Sequence, residues 1–210
     1  MTRRSRSATL SSMTTYSVVL FIHLLSLLIA AGAAAVVTLA NVQMRRAETL
    51  GQVARWGMAA KNTAKAFPVA IVGLVGSGIY MVQTEWSWSD PWVIGALVGL
   101  GMIIVFGEGL EARRGRALGR ALGEAIATGG DGPVDGEPAR LLEDNLGKAI
   151  PAAPTLLMLG VVFIMVTKPE TAGTIIALAV ALALSVPVGR AVFRCDRRAG
   201  TPVPAAAPQA

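Results

Sequence analysis

The chain has 210 residues, of which 53% are hydrophobic and only 15% charged, with a mean hydropathy of +0.58. That balance is too apolar and too poor in charge for an ordinary soluble domain and reads as a membrane protein. The formal net charge of +6 raises nucleic acid as a partner, but no basic stripe carries interleaved aromatic residues, so nucleic acid is set aside and the lipid bilayer is the expected partner.

A bilayer core needs about 20 apolar residues in a helix, and five runs approach that length. The first, YSVVLFIHLLSLLIAAGAAAVVTLA over 16–40, contains no charged residue and holds His23, the single histidine of the chain. The second covers 67–84 (FPVAIVGLVGSGIYMVQT), the third 91–110 (PWVIGALVGLGMIIVFGEGL), the fourth 150–167 (IPAAPTLLMLGVVFIMVT) and the fifth 171–190 (TAGTIIALAVALALSVPVGR). Strands rarely exceed ten residues, so runs of this length are helices. The expected fold is all-α, an integral membrane bundle of about five transmembrane helices, with residues 1–15 as an N-terminal extension and 16–193 as the helical domain. The fourth helix opens with Pro151 and Pro154, which suit a first turn, and an earlier start near Leu141 is an alternative.

The connections set the orientation. Arg45, Arg46, Arg55, Lys61 and Lys65 lie between helices one and two. Arg113, Arg114, Arg116, Arg120, Arg140 and Lys148 lie in the 111–149 connection, and Arg190, Arg194, Arg197 and Arg198 follow at the end. The turn TEWSWSDP carries no basic residue and TKPETA carries only Lys168. Fifteen of the nineteen basic residues therefore fall on one side, which the positive-inside rule assigns to the cytoplasm, with the N-terminus outside and the C-terminus inside an inner (plasma) membrane. Arg3, Arg4 and Arg6 oppose that orientation; a translation start at Met13 would remove them, and a cleaved signal peptide is the alternative.

The connecting segments differ in kind. ETLGQVARWGMAAKNTAKAF is expected as an interfacial helix with Leu50, Val53, Trp56 and Met58 to one side. LEARRGRALGRALGEAIATGG extends helix three and stops at Gly129 and Gly130. GGDGPVDGEP reads as a flexible acidic loop, and residues 194–210 as a disordered Pro/Ala tail holding the lone Cys195, which cannot form an internal disulfide.

Small residues at four-residue spacing mark helix packing: Ser26, Ala30 and Ala34 on helix one, Gly73 and Ser77 on helix two, Gly95 and Gly99 on helix three. They serve either packing within one chain or a homo-oligomer face. His23 shares the stripe of Ser26, Ala30 and Ala34. An intramembrane imidazole is costly unless partnered, and it is either hydrogen-bonded to a group such as Ser77 or Tyr80, or a ligand of haem b or a transition metal. With no second histidine and no Cys-x-x-Cys, a closed protein-only metal site is not expected. Glu108 reads as an interfacial charge. Trp86, Trp88 and Trp92 form an aromatic belt, with stacking on a quinone or haem as the alternative. Walker, GxSxG, HExxH and dinucleotide-binding signatures are absent, so no catalytic residue is assigned.

The order of a histidine and small residues (HLLSLLIAAGAA), a basic connection, a helix with a Gly-rich end (FPVAIVGLVGSGIY) and a tryptophan-rich turn (WSWSDPWVIGALVGLG) resembles predicted integral membrane proteins. These are grouped with copper-resistance-D-type and HemJ-type protoporphyrinogen oxidase domains, and the likeness covers Tyr16 to Arg120. The resemblance implies an association of His23 with haem b or, in the copper group, with copper uptake. Two departures accompany it: Ile29, Ala30, Ala31 and Gly32 stand where a tryptophan-glycine pair often follows the histidine, and helix three lacks the early lysine of the HemJ-type proteins. The expected role is that of an inner-membrane protein with His23 as a cofactor or metal ligand. The alternatives are a non-catalytic membrane partner or small transporter subunit, and a haem-linked oxidoreductase.

Overall fold

The computed structural model describes residues 3–143 and 150–193, with side chains from Thr15 onward. Among these residues the chain is helical throughout, with one isolated antiparallel bridge, Thr49 to Pro133. The elements are α1 (Arg3–Arg46), α2 (Leu50–Ala64), α3 (Ala66–Glu85), α4 (Pro91–Ile104), a π-helical segment (Val105–Glu111), α5 (Ala112–Gly129), α6 (Gly136–Glu143), α7 (Ala152–Thr167) and α8 (Thr171–Val192).

Four stretches are long and apolar enough to cross a bilayer: Thr15–Arg46, Leu50–Glu85, Pro91–Gly129 and Thr171–Val192. The chain is a multi-pass membrane protein. The fourth expected span, α7, has 16 residues, or roughly 24 Å at 1.5 Å per residue, and falls short of that length. It is nevertheless the centre of its half of the bundle, with Ala153, Leu157 and Ile164 almost fully enclosed. Large apolar side chains such as Phe21, Leu28, Val69, Val72, Val166 and Ile175 are exposed, as they are where the surroundings are hydrocarbon rather than water.

The bundle divides into two lobes. In the first, α1 lies antiparallel along α2 and α3, which form one rod interrupted only at Lys65. Gly57 faces Met44, Gly73 faces Ser26 and Gly78 faces His23, so the register holds along the whole hairpin. In the second lobe α7 packs against both α4 and α8, and α4 also touches α8. Lys168, just past α7, sits beside Trp86 and Trp92 at the start of α4, while Val161 faces Gly99 deeper in α4; α7 and α4 are therefore antiparallel. Because apolar surface gains little by leaving lipid, close approach decides these contacts. A methyl group added to Gly95 would overlap Thr174 Cγ2, and one added to Gly99 would overlap Val161 Cγ2.

At the end remote from the tryptophans a small core of ordinary soluble type brings together Met44, Ala47, Leu50, Val53, Leu122, Val134 and Leu142. Two expectations change here. Leu50 and Val53 of α2 face this core rather than lipid, although Trp56 and Met58 remain exposed. The segment GGDGPVDGEP is docked, not free: Leu50 N–H donates to Gly132 O at 3.0 Å, Val134 N–H donates to Glu48 O at 3.2 Å, and Val134 is buried. Asp131 completes the attachment by accepting from the Gly51 N–H at 2.7 Å, beside the Thr49 cap of α2. Its carboxyl is held below the usual range first by that N–H and then by the Thr49 hydroxyl, the result expected for an anion at a helix N-terminus. α5 ends, as read from the glycine pair, at Gly130 with φ 70°. Leu141 belongs to α6, and the next helix among the described residues begins at Ala152. The Pro/Ala tail and Cys195 lie outside the described residues.

Candidate functional site

Between the lobes runs a cleft of about 1670 Å³. α3 packs along α1 and not along α4, α7 or α8, so the wall on one side comes from the hairpin and the wall on the other from α4 and α7. On α1 the lining residues include Tyr16, Leu20, His23, Leu27, Ala30, Ala34, Val37, Asn41 and Met44. Their alternating spacing of four and three residues keeps one seam on the cleft for roughly 42 Å, more than a hydrocarbon core is thick.

The two lobes are bridged at both ends of the cleft by polar or aromatic contacts. At the tryptophan end the Lys168 Nζ lies 3.4 Å from the centroid of Trp86 and 5.6 Å from that of Trp92, and the two indoles meet edge to face at 5.4 Å. This is a cation–π contact that ties the α7–α8 turn to the α3–α4 turn. Lys168 takes a left-handed backbone conformation, φ 47°, to reach it. At the opposite end Asn41 Nδ2 donates to Glu111 Oε1 at 2.9 Å, joining α1 to the π-helical segment. Arg45, almost fully buried, donates through Nη1 to the Leu142 carbonyl and stacks on Phe193, 5.3 Å from its centroid.

The π-helical segment contains Gly107 and Gly109, neither of which has a neighbour where a side chain would project. A wide turn is easier to form where no Cβ crowds it, and such turns recur at functional positions. Glu108 and Glu111, both within this segment, line the cleft.

His23 lies in the half of the cleft nearer the tryptophans. Its Nδ1 is 3.0 Å from Ser77 Oγ, and Ser77 in turn donates to the Gly73 carbonyl at 2.5 Å. With the serine proton committed to Gly73, His23 donates from Nδ1 and the lone pair sits on Nε2. The Leu74 backbone is a further hydrogen-bonding neighbour of the ring, and the imidazole lines the cleft. Tyr80, the other partner considered, does not bond to it.

The small residues separate into two seams. Ser26 and Ala30 are buried, with Ser26 against Gly73; Ala33, rather than Ala34, is the next buried residue, and Ala34 lines the cleft. Ser77 is buried and serves both packing and the histidine. Gly95 and Gly99 receive Thr174, Val161 and Leu178 within the second lobe. Of the tryptophans, Trp86 and Trp92 form the lysine clamp while Trp88 is exposed.

Four side chains of the site escaped sequence reasoning as site residues: Asn41, Arg45, Glu111 and Lys168. Arg45 and Lys168 counted only as topological charges. Asn41 had a usable signal, a primary amide at position i+18 of the seam that carries His23, and Glu111 had one in its three-residue offset from Glu108. No cluster of three or more His, Cys, Asp or Glu suited to a metal ion occurs among the described residues. For haem b the chain offers one imidazole, His23, on the wall of a largely apolar cleft, and this residue would hold the group. No protein-family model, curated protein or solved structure matches the chain.

Proposed function

We propose that this is a non-catalytic inner-membrane protein that holds a membrane-soluble ligand between its two lobes, with the basic end in the cytoplasm. The observation that supports the reading is the cleft itself: it extends for the thickness of a bilayer, is apolar along its length, and is bridged at both ends. Interhelical space of this kind in a membrane protein is a ligand site or fills with lipid. Native mass spectrometry after delipidating washes tests it. Retention of a hydrophobic molecule by the wild type, and its loss in Ala34→Phe, is expected; a bare protein mass in the wild type overturns the reading. Labelling of single cysteines in a Cys195→Ser background, at Ser89 and at Thr128, tests the orientation.

A second reading places haem b in the same cleft, as the resemblance to the HemJ-type group suggests, with His23 as the axial ligand. What favours it is the fixed tautomer, since Ser77 holds Nδ1 and leaves Nε2 as the donor atom. Haem would supply redox or ligand-binding chemistry; the chain's own part is to orient the imidazole and exclude water. A Soret band in the purified protein, lost in His23→Ala, supports this reading. A colourless wild type refutes it and leaves His23 as a hydrogen-bonding residue between α1 and α3. Copper retention, measured by elemental analysis, would redirect the role toward transport.

A further inference from the structure

We infer that the occupant of the cleft is an anionic lipid, its hydrocarbon chains between the lobes and its headgroup against Lys61, Arg113, Arg116 and Arg120. The inference rests on the proposed ligand-binding role of the cleft and adds the chemical class of the ligand and its polarity.

Arg113, Arg116 and Arg120 fall at i, i+3 and i+7 of α5, on one helical face. Lys61 projects from α2, which packs against α5. All four line the cleft, all four are exposed, and none forms an ion pair or hydrogen bond among the described residues. The acidic residues nearby do not cancel them: two carboxylates, Glu108 and Glu111, line the cleft beside these four cations. An ordinary cytoplasmic cation can extend into bulk water from anywhere on the surface. These four instead line the same cleft as the apolar side chains of Ile71, Leu74, Leu100 and Met158.

A ligand matched to both parts needs negative charge at one end and hydrocarbon along the rest. A soluble anion leaves the apolar wall unfilled, and a zwitterionic lipid brings its own cation among these cations. Basic pockets between membrane helices on the cytoplasmic side select anionic headgroups for this reason. The site is also far from the imidazole: Asn41, at the basic end, is 18 positions from His23, roughly 27 Å along α1. A headgroup at the basic end therefore does not compete with a ligand on Nε2, whereas the chains pass beneath it.

The test uses the full chain in mild detergent, with phosphatidylglycerol, phosphatidylcholine or inorganic phosphate added, and reads the unfolding midpoint. A ligand that binds only the folded state raises the midpoint by mass action. Phosphatidylglycerol is expected to raise it at least about threefold more than phosphatidylcholine, with no rise from phosphate. Arg116→Gln/Arg120→Gln should abolish the preference, and Arg116→Lys/Arg120→Lys, which keeps charge and insertion topology, should retain most of it. Ala34→Phe should reduce the response to both lipids. Equal responses to the two lipids overturn headgroup recognition while leaving the cleft reading intact. Phosphate reproducing the phosphatidylglycerol response overturns the lipid in favour of a soluble anion. A phosphatidylglycerol response untouched by Ala34→Phe but lost in the glutamine variant places the lipid on the surface, and overturns the cleft reading with it.

Discussion

Gly95 provides a quantitative test of the packing in the second lobe. Replacing glycine by alanine inside a helix gains about 0.5–1 kcal/mol when the new methyl meets nothing. Gly101, on the same helix, has nothing within 4 Å of that position and should show the gain. At Gly95 the methyl overlaps Thr174 Cγ2. Thr174 cannot easily turn aside, because it is β-branched, buried, and donates through Oγ1 to the Pro169 carbonyl at 3.3 Å. Overpacking of this kind costs about 1–3 kcal/mol, so Gly95→Ala should be net destabilising by up to about 2 kcal/mol, and about 1–3 kcal/mol worse than Gly101→Ala. Thr174→Ser removes Cγ2 and keeps the hydroxyl, so the double variant Gly95→Ala/Thr174→Ser should recover most of the loss. Gly73→Ala should fall between the two, since the atom in its way is the rotatable Ser26 hydroxyl. Unfolding of the detergent-solubilised protein by heat or by rising dodecyl sulfate provides the ranking. Equal midpoints for Gly95→Ala and Gly101→Ala, or no recovery in the double variant, would refute the α4–α8 contact.

Other expectations follow from the lobe contacts. Ser77→Ala should cost about 0.5–1.5 kcal/mol through loss of the His23 hydrogen bond, the range typical of such bonds in membranes, and unfolding midpoints compared with His23→Ala should show shared rather than additive losses. Arg45→Ala should cost about 2–3 kcal/mol, because both the charged bond to the Leu142 carbonyl and the Phe193 stack disappear; a loss below measurement error would contradict the buried geometry. Lys168→Gln should weaken the tie between the α3–α4 and α7–α8 turns by about 1 kcal/mol and change the tryptophan emission, while an unchanged spectrum would count against the clamp. Asp131 has a lowered folded-state pKa, so it stabilises the native state above its ordinary value and that contribution fades as pH falls below about 4. The acid limb of a stability–pH curve should therefore be shallower in Asp131→Asn, and identical limbs would sink the assignment.

The helices and their approximate ends were legible because long uncharged runs have only one backbone solution in lipid. The contacts of Gly73, Ser77, Gly95 and Gly99 lie where small-residue spacing points, since close approach leaves its mark in residue size. Three features were hidden. The docking of GGDGPVDGEP depends on Val134, one apolar residue among turn formers, and on backbone bonds to Glu48 and Leu50 that carry no side-chain signature. The split between the Ala33 and Ala34 seams is a rotation of 100° around α1, finer than a stripe of uniformly small residues can specify. The cleft itself arises from what α3 does not touch, and hydrophobicity reads the same whether a helix faces lipid, protein or an enclosed space.

The antiparallel register of α1 with α2 and α3 bears on how the protein is made. Its contacts pair residues through a single turn at Ala47–Thr49, so the first lobe closes on itself before any residue of α4 is required. During synthesis the N-terminal 85 residues can associate as they enter the bilayer, with the nearest pairs forming first and the rest following outward. The second lobe then arrives beside a partner already assembled, and only the end clasps, Lys168 on the tryptophans and Arg45 on Leu142 and Phe193, wait for translation to finish. A chain released before residue 91 should already place His23 against Ser77, whereas the passage between the lobes comes into being last.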